Sequence, residues 1–172
     1  FSRFSHKHET AFPGYYAVKL PGQGVLAELT ASERVGMHRY TFSGNAVPHI
    51  LIDVSSTLGD FKTAEGEVHI IHDKQEVEGS IRTFGSFAGR YGGIKIYFAA
   101  SFNLPFSICK VWSGDKICTN QASVRGDRIG VDLTFDKTAS EQVIELRLGI
   151  SYISIENARA VVDFFIDPYR LK

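Results

Sequence analysis

Residues Ile129-Gly130-Val131-Asp132-Leu133-Thr134-Phe135-Asp136 decide the fold, because apolar Ile129, Val131, Leu133 and Phe135 alternate with Gly130, Asp132, Thr134 and Asp136. Successive side chains of a β-strand point to opposite faces, so this alternation buries one face and wets the other. The same period runs through Ile144, Leu146, Leu148 and Ile150, and through Ile94, Ile96, Phe98, Ala100 and Phe102. Less regular candidates lie at Gly14–Leu20, Val25–Thr30, Arg34–Phe42, His49–Val54, Glu67–His72, Glu76–Thr83 and Phe106–Trp112, which makes about ten strands. Between them, Pro21-Gly22 predicts a type II turn and Ser113-Gly114 a hairpin loop. One helix is predicted, with Ser154 as N-cap, running through Ala158, Val161, Val162 and Phe165 and stopping before Pro168. The predicted architecture is therefore all-β, an antiparallel β-sandwich with a C-terminal helix.

The 172 residues show no repeat, low-complexity tract or Pro/Gly/Ser linker, so a single sandwich domain over residues 1–172 is the simplest division. With 44% hydrophobic and 22% charged residues, the composition is that of a folded globular domain and excludes disordered, collagen-like and coiled-coil chains. Nineteen basic side chains balance nineteen acidic ones, so no net field draws the chain to nucleic acid or to an anionic membrane. No apolar stretch approaches the roughly 20 residues of a membrane-spanning helix. The chain begins with Phe1, without Met or an apolar leader run, and reads as a processed, trimmed or partial chain.

Residues able to carry chemistry are few. His6 and His8, two apart, would project to one side of an extended segment with Glu9 beside them, a possible metal or sugar site. His69 and His72 fall on opposite faces of a predicted strand and cannot chelate together. Glu76 and Glu78 share a strand face, the minimum for paired-carboxylate glycoside chemistry, but two acids on a polar face are ordinarily just solvated. Gly79, Gly85, Gly89, Gly92 and Gly93 surround Arg82, Phe84, Phe87, Arg90 and Tyr91 in a loop whose side chains suit sugar rings and hydroxyls. Cys109 and Cys118 flank Ser113-Gly114 almost symmetrically. With Ser113-Gly114 as a two-residue loop they face each other, and a cross-strand disulfide is predicted where the compartment is oxidising. No Asn-x-Ser/Thr sequon, serine nucleophile elbow, phosphate-binding loop or zinc-protease helix occurs.

Several runs resemble the N-terminal domain of glycoside hydrolase family 92. They are Phe4-Ser5-His6-Lys7-His8-Glu9, Pro13-Gly14-Tyr15-Tyr16, the stretch from Ala27-Glu28-Leu29-Thr30 to Tyr40-Thr41-Phe42, Gly85-Ser86-Phe87-Ala88-Gly89, Tyr97-Phe98-Ala99-Ala100-Ser101-Phe102, and Leu148-Gly149-Ile150-Ser151 through Asn157-Ala158-Arg159. The runs follow one another in order over most of residues 4–160. The family often has Asn-Glu where His8-Glu9 stands and Cys where Ala88 stands, so this chain departs from the pattern there.

The resemblance implies a sandwich of the supersandwich type, followed in the whole enzymes by a large (α/α)6 barrel. In these exo-acting α-mannosidases the active site lies between the two, and calcium assists inverting hydrolysis. The acid and base belong to the barrel, so no catalytic residue is carried over and the chain alone is expected to be inactive. Sugar-facing candidates in the matching runs and the glycine-rich loop are His6, Glu9, Arg34, His38, Arg82 and Arg90. The implied partners are mannose-containing glycans and a catalytic (α/α)6 domain in cis or in trans, or further copies of the chain. The implied location is secreted, periplasmic or extracellular. The rival expectation is a stand-alone carbohydrate-binding or assembly module that has lost its barrel. An exposed apolar patch around Val161, Val162, Phe164 and Phe165 would favour the enzyme domain.

Overall fold

The computed structural model describes residues 4–59, 61–85 and 87–164. In chain order its elements are β1 (Glu9–Phe12), β2 (Tyr15–Leu20), β3 (Val25–Ala31), β4 (Val35–Ser43), β5 (His49–Asp53), β6 (Lys62–Ile71), β7 (Glu76–Phe84), β8 (Ile94–Phe102), β9 (Phe106–Ser113), β10 (Lys116–Thr119), β11 (Ser123–Gly126), β12 (Ile129–Phe135), β13 (Glu141–Ser151) and α1 (Ile155–Asp163). Among the described residues the strands form a nine-stranded sheet ordered β1-β2-β3-β4-β13-β8-β7-β6-β11 and a four-stranded sheet ordered β10-β9-β12-β5. Every pairing is antiparallel.

Alternation in the three regular strands sets the core. Ile129, Val131, Leu133 and Phe135 of β12 meet Ile144 and Leu146 of β13 and Phe98, Ala100 and Phe102 of β8 between the two sheets. Phe102, Phe106 and Phe135 lie with ring centroids 5.5 to 6.2 Å apart, which locks one end of that core through offset and edge contacts. The opposite face of the large sheet carries the odd-numbered partners, Glu145, Arg147 and Gly149, and receives α1.

Ser154 caps α1 as predicted, its hydroxyl accepting from the Asn157 N–H at 3.1 Å. Ala158 and Val162 are buried against β13, where Gly149 leaves room for them. Phe165 and the predicted stop before Pro168 lie outside the described residues.

Four local expectations change. His6–His8 form a 3-10 turn rather than an extended segment, so the two rings do not share one side. His72 opens a second 3-10 turn, and β6 instead begins at Lys62. A bulge between Ala64 and Glu67 breaks its alternation there. The β2–β3 connection places its positive φ at Gly24 (+65°), while Gly22 is not left-handed, so Pro21-Gly22 is not a type II turn. Finally, Ser113 pairs with Lys116, so Gly114 and Asp115 make the loop and Cys118 faces Val111. Cys109 and Cys118 are then diagonal neighbours, a separation of about 7–8 Å that exceeds disulfide reach. Both thiols are free.

Candidate functional site

The antiparallel order brings the β3–β4 turn, the end of β13, the start of β8 and the end of β7 to one end of the large sheet. At that end, Ser32, Glu33, Arg34 and Val35 face Asn157, Ala160, Val161 and Phe164 of α1 across a groove of 660 Å³. Phe164 is 85% exposed in that lining, and Tyr152 and Ile153, on the β13–α1 connection, are exposed as well. Of the four residues expected to form an apolar patch, Phe164 is exposed, Val161 is half-buried, Val162 is buried, and Phe165 lies outside the described residues.

A salt-bridged seat fixes α1. The Arg159 guanidinium donates from Nε to Glu76 Oε1 at 2.8 Å and also bonds Glu78. Glu76 is 6% exposed, so the expectation of a solvated acid pair is overturned: helix and guanidinium cover it. Paired acceptors push the Arg159 pKa up, the Glu76 hydrogen bond first, so the cation persists at any ordinary pH. The acids are spaced two apart on β7, and the arginine lies in the last matching run, Asn157-Ala158-Arg159. Their meeting was not visible because 83 residues separate Arg159 from Glu76.

The other predicted residues do not converge on one site. His6 bonds Glu9, and Tyr16 donates to the other Glu9 oxygen at 2.6 Å. Those two donors, Tyr16 first, hold the Glu9 carboxyl below its usual range, and the same bond raises the Tyr16 hydroxyl. His38 of β4 turns toward the inter-sheet side, 2.8 Å from the Tyr40 hydroxyl, and burial lowers its pKa. Arg82 is held by Glu65 at 2.8 Å and donates to the Gly92 carbonyl at 3.4 Å, so it supports the β7–β8 loop from below. Arg90 is exposed on that loop, and Arg34 is exposed at the groove.

The N-terminal domain of glycosyl hydrolase family 92 matches residues 1–151. The chain belongs to glycosyl hydrolase family 92. Two solved structures place this family 92 domain in context. A family GH92 α-mannosidase from Bacteroides thetaiotaomicron superposes with a TM-score of 0.80 at 27% identity, covering 95% of this chain and 22% of that one. A GH92 inverting mannosidase from the VPI-5482 strain of that species matches in fold, with a TM-score of 0.82 at 24% identity over 96% of this chain and 21% of that one. The family 92 chain described here thus spans about a fifth of the length of the mannosidases it matches. No curated protein sequence is matched significantly.

Among the described residues no group of three or more His, Cys, Asp or Glu side chains is placed to hold a metal ion. No described helix is long and apolar enough to cross a membrane.

Proposed function

We propose that this family 92 domain is the N-terminal sandwich portion of an exo-acting, inverting α-mannosidase. It would supply no acid or base and would present one end of its large sheet to a catalytic (α/α)6 domain. The observation that carries this reading is the groove between the β3–β4 turn and α1, where Val35, Ala160, Val161 and the 85% exposed Phe164 line an apolar wall beside Arg34. Side chains of that size gathered on one surface mark a contact that excludes water. A self-sufficient module would have made these positions polar, so the enzyme-domain reading is preferred to a stand-alone binding module.

In this reading the sandwich end supports and orients rather than reacts. Arg34, exposed at the groove mouth, is the residue best placed to meet sugar hydroxyls or barrel carbonyls as a donor. Glu9 and His38 already have internal partners and act in shaping β1, β2 and β4. Calcium, where the whole enzyme uses it, would sit where this domain meets the catalytic one. A location outside the cytoplasm goes with action on mannose-containing glycans, and cell fractionation checks it.

The deciding experiment is the mass of the native polypeptide, by denaturing separation and peptide mapping beyond Lys172. A chain about five times heavier than 19.1 kDa, carrying peptides of a helical domain and releasing mannose from α-mannosides, is the expected result. A native chain near 19.1 kDa would overturn it and leave sugar binding or assembly.

A further inference from the structure

The β7–β8 connection carries chemistry that neither the groove nor the α1 seat uses. Phe87 and Tyr91 lie on either side of a single 3-10 turn, Ala88–Tyr91, and are 73% and 76% exposed. Their ring centroids are 5.8 Å apart and their planes are tilted by 51°. Two large rings left in water cost free energy unless something covers them part of the time.

The rings are displayed by a backbone held from beneath. The Gly89 N–H donates to the Gly85 carbonyl at 2.7 Å, and the Gly93 N–H donates to the Ala88 carbonyl at 3.0 Å. Gly92 and Gly93 both adopt φ of +81°, and a Cβ at Gly93 would come within 2.9 Å of the Phe84 ring and the Thr83 carbonyl. Arg82, pinned by Glu65, donates to the Gly92 carbonyl from below. A loop fixed in this way loses little conformational freedom when a ligand lands on it.

The shape and the chemistry suit a carbohydrate. Two exposed, tilted rings offer apolar faces on which the C–H face of a pyranose can stack, while the Tyr91 hydroxyl and the adjacent exposed Arg90 provide donors for ring hydroxyls. Between the rings the turn has only Ala88, Gly89 and Arg90, which leave the two ring faces uncrowded. We infer that Phe87 and Tyr91 form a stacking platform for a pyranose residue of an α-mannoside, with Arg90 as its polar flank. The ligand class rests on the mannosidase reading above; the platform itself rests on the geometry of the turn.

The test is calorimetric titration and saturation-transfer NMR on the full 172-residue chain with α-mannobiose, using cellobiose as the comparison sugar. The expected result is mannobiose binding that weakens about tenfold in F87A and in Y91A, and much less in Y91F. The melting temperature should stay unchanged, because both side chains are exposed. No binding of mannobiose at millimolar concentration, unchanged affinity in F87A and Y91A, or a preference for cellobiose would each overturn the inference. The two readings fail separately. A native chain near 19.1 kDa that binds mannobiose on these rings overturns only the enzyme reading. A large native mannosidase whose sandwich variants F87A and Y91A keep full affinity overturns only the platform.

Discussion

Arg159 of α1 and Glu76 of β7, 83 residues apart in the chain, share two N–H···O contacts on one carboxylate oxygen, from Nε at 2.8 Å and Nη2 at 2.7 Å. The pair joins the helix to a strand two places from β13, on which α1 mainly rests, so it sets the helix's rotation as well as its attachment. Because Ala160 and Val161 of that helix and its C-cap Phe164 line the Arg34 groove, the pair also sets how that groove is presented.

Replacing Arg159 with Met leaves the Glu76 carboxylate covered and without its cation. Removing one partner of a buried pair costs about 3–5 kcal/mol, and the 27% exposure of the Arg159 side chain lowers this to roughly 2–3 kcal/mol. For a chain of this size the melting temperature should fall by about 4–12 °C. Thermal unfolding of R159M checks this, and a fall within error of zero would show that the pair does not hold α1.

Gly149 permits the close approach of α1 to β13. A Cβ there would lie 2.6 Å from Val162 Cγ2 and closer still to the Ala158 carbonyl oxygen. Helix backbone cannot yield as a flexible side-chain tip does, so G149A should lift α1 and cost about 1–3 kcal/mol. Hydrogen exchange should show the α1 amides losing protection before those of β12. Equal protection in G149A and the parent chain would refute the close-packing account.

The cysteines should behave as two unequal thiols. Cys109 is 2% exposed and burial raises its pKa, whereas Cys118 is half-buried on the short edge strand β10. Burial both hides the Cys109 sulfur and disfavours its thiolate, while Cys118 is the more accessible. Under native, non-reducing conditions a maleimide should label Cys118 first and Cys109 only after unfolding. Failure to label either cysteine in the unfolded, unreduced chain would reveal a disulfide and require a different register for the β9–β10 hairpin.

His38 gives the chain an acid-side sensitivity. Burial holds its folded-state pKa below the ordinary 6.5, so between those two values the unfolded chain binds the proton that the folded chain refuses. This histidine's contribution is therefore complete above pH 6.5, declines as pH falls from there, and levels off below the depressed folded value. Urea unfolding should show H38Q losing less stability on acidification than the parent chain. An imidazole NMR titration that placed His38 at or above 6.5 would contradict the burial argument.

The regular strands β8, β12 and β13 were legible because a buried face on a period-two backbone leaves its trace in each segment alone. The α1 N-cap was legible for a similar reason, since Ser154 satisfies its own helix's N–H groups. The short edge strands β1 and β11, four residues each, carry no such trace because nearly all of their side chains remain wet. The family, too, could be read from local runs. The candidates for sugar contact could not be brought together that way: His6 and Glu9 are one cluster, His38 turns inward, and Arg34 and Arg90 stand on separate turns.

The sequence by itself determined that this chain is an antiparallel sandwich with one capped helix and a family 92 pattern, since each of those features is encoded within a few residues. Only the tertiary structure decided that Glu76 and Glu78 serve Arg159 and that Cys118 faces Val111. It alone also decided that Val161 and Phe164 line a groove with Arg34. These outcomes depend on pairing register and on which strands become neighbours, and both are set by the whole core packing at once rather than by any local run of residues.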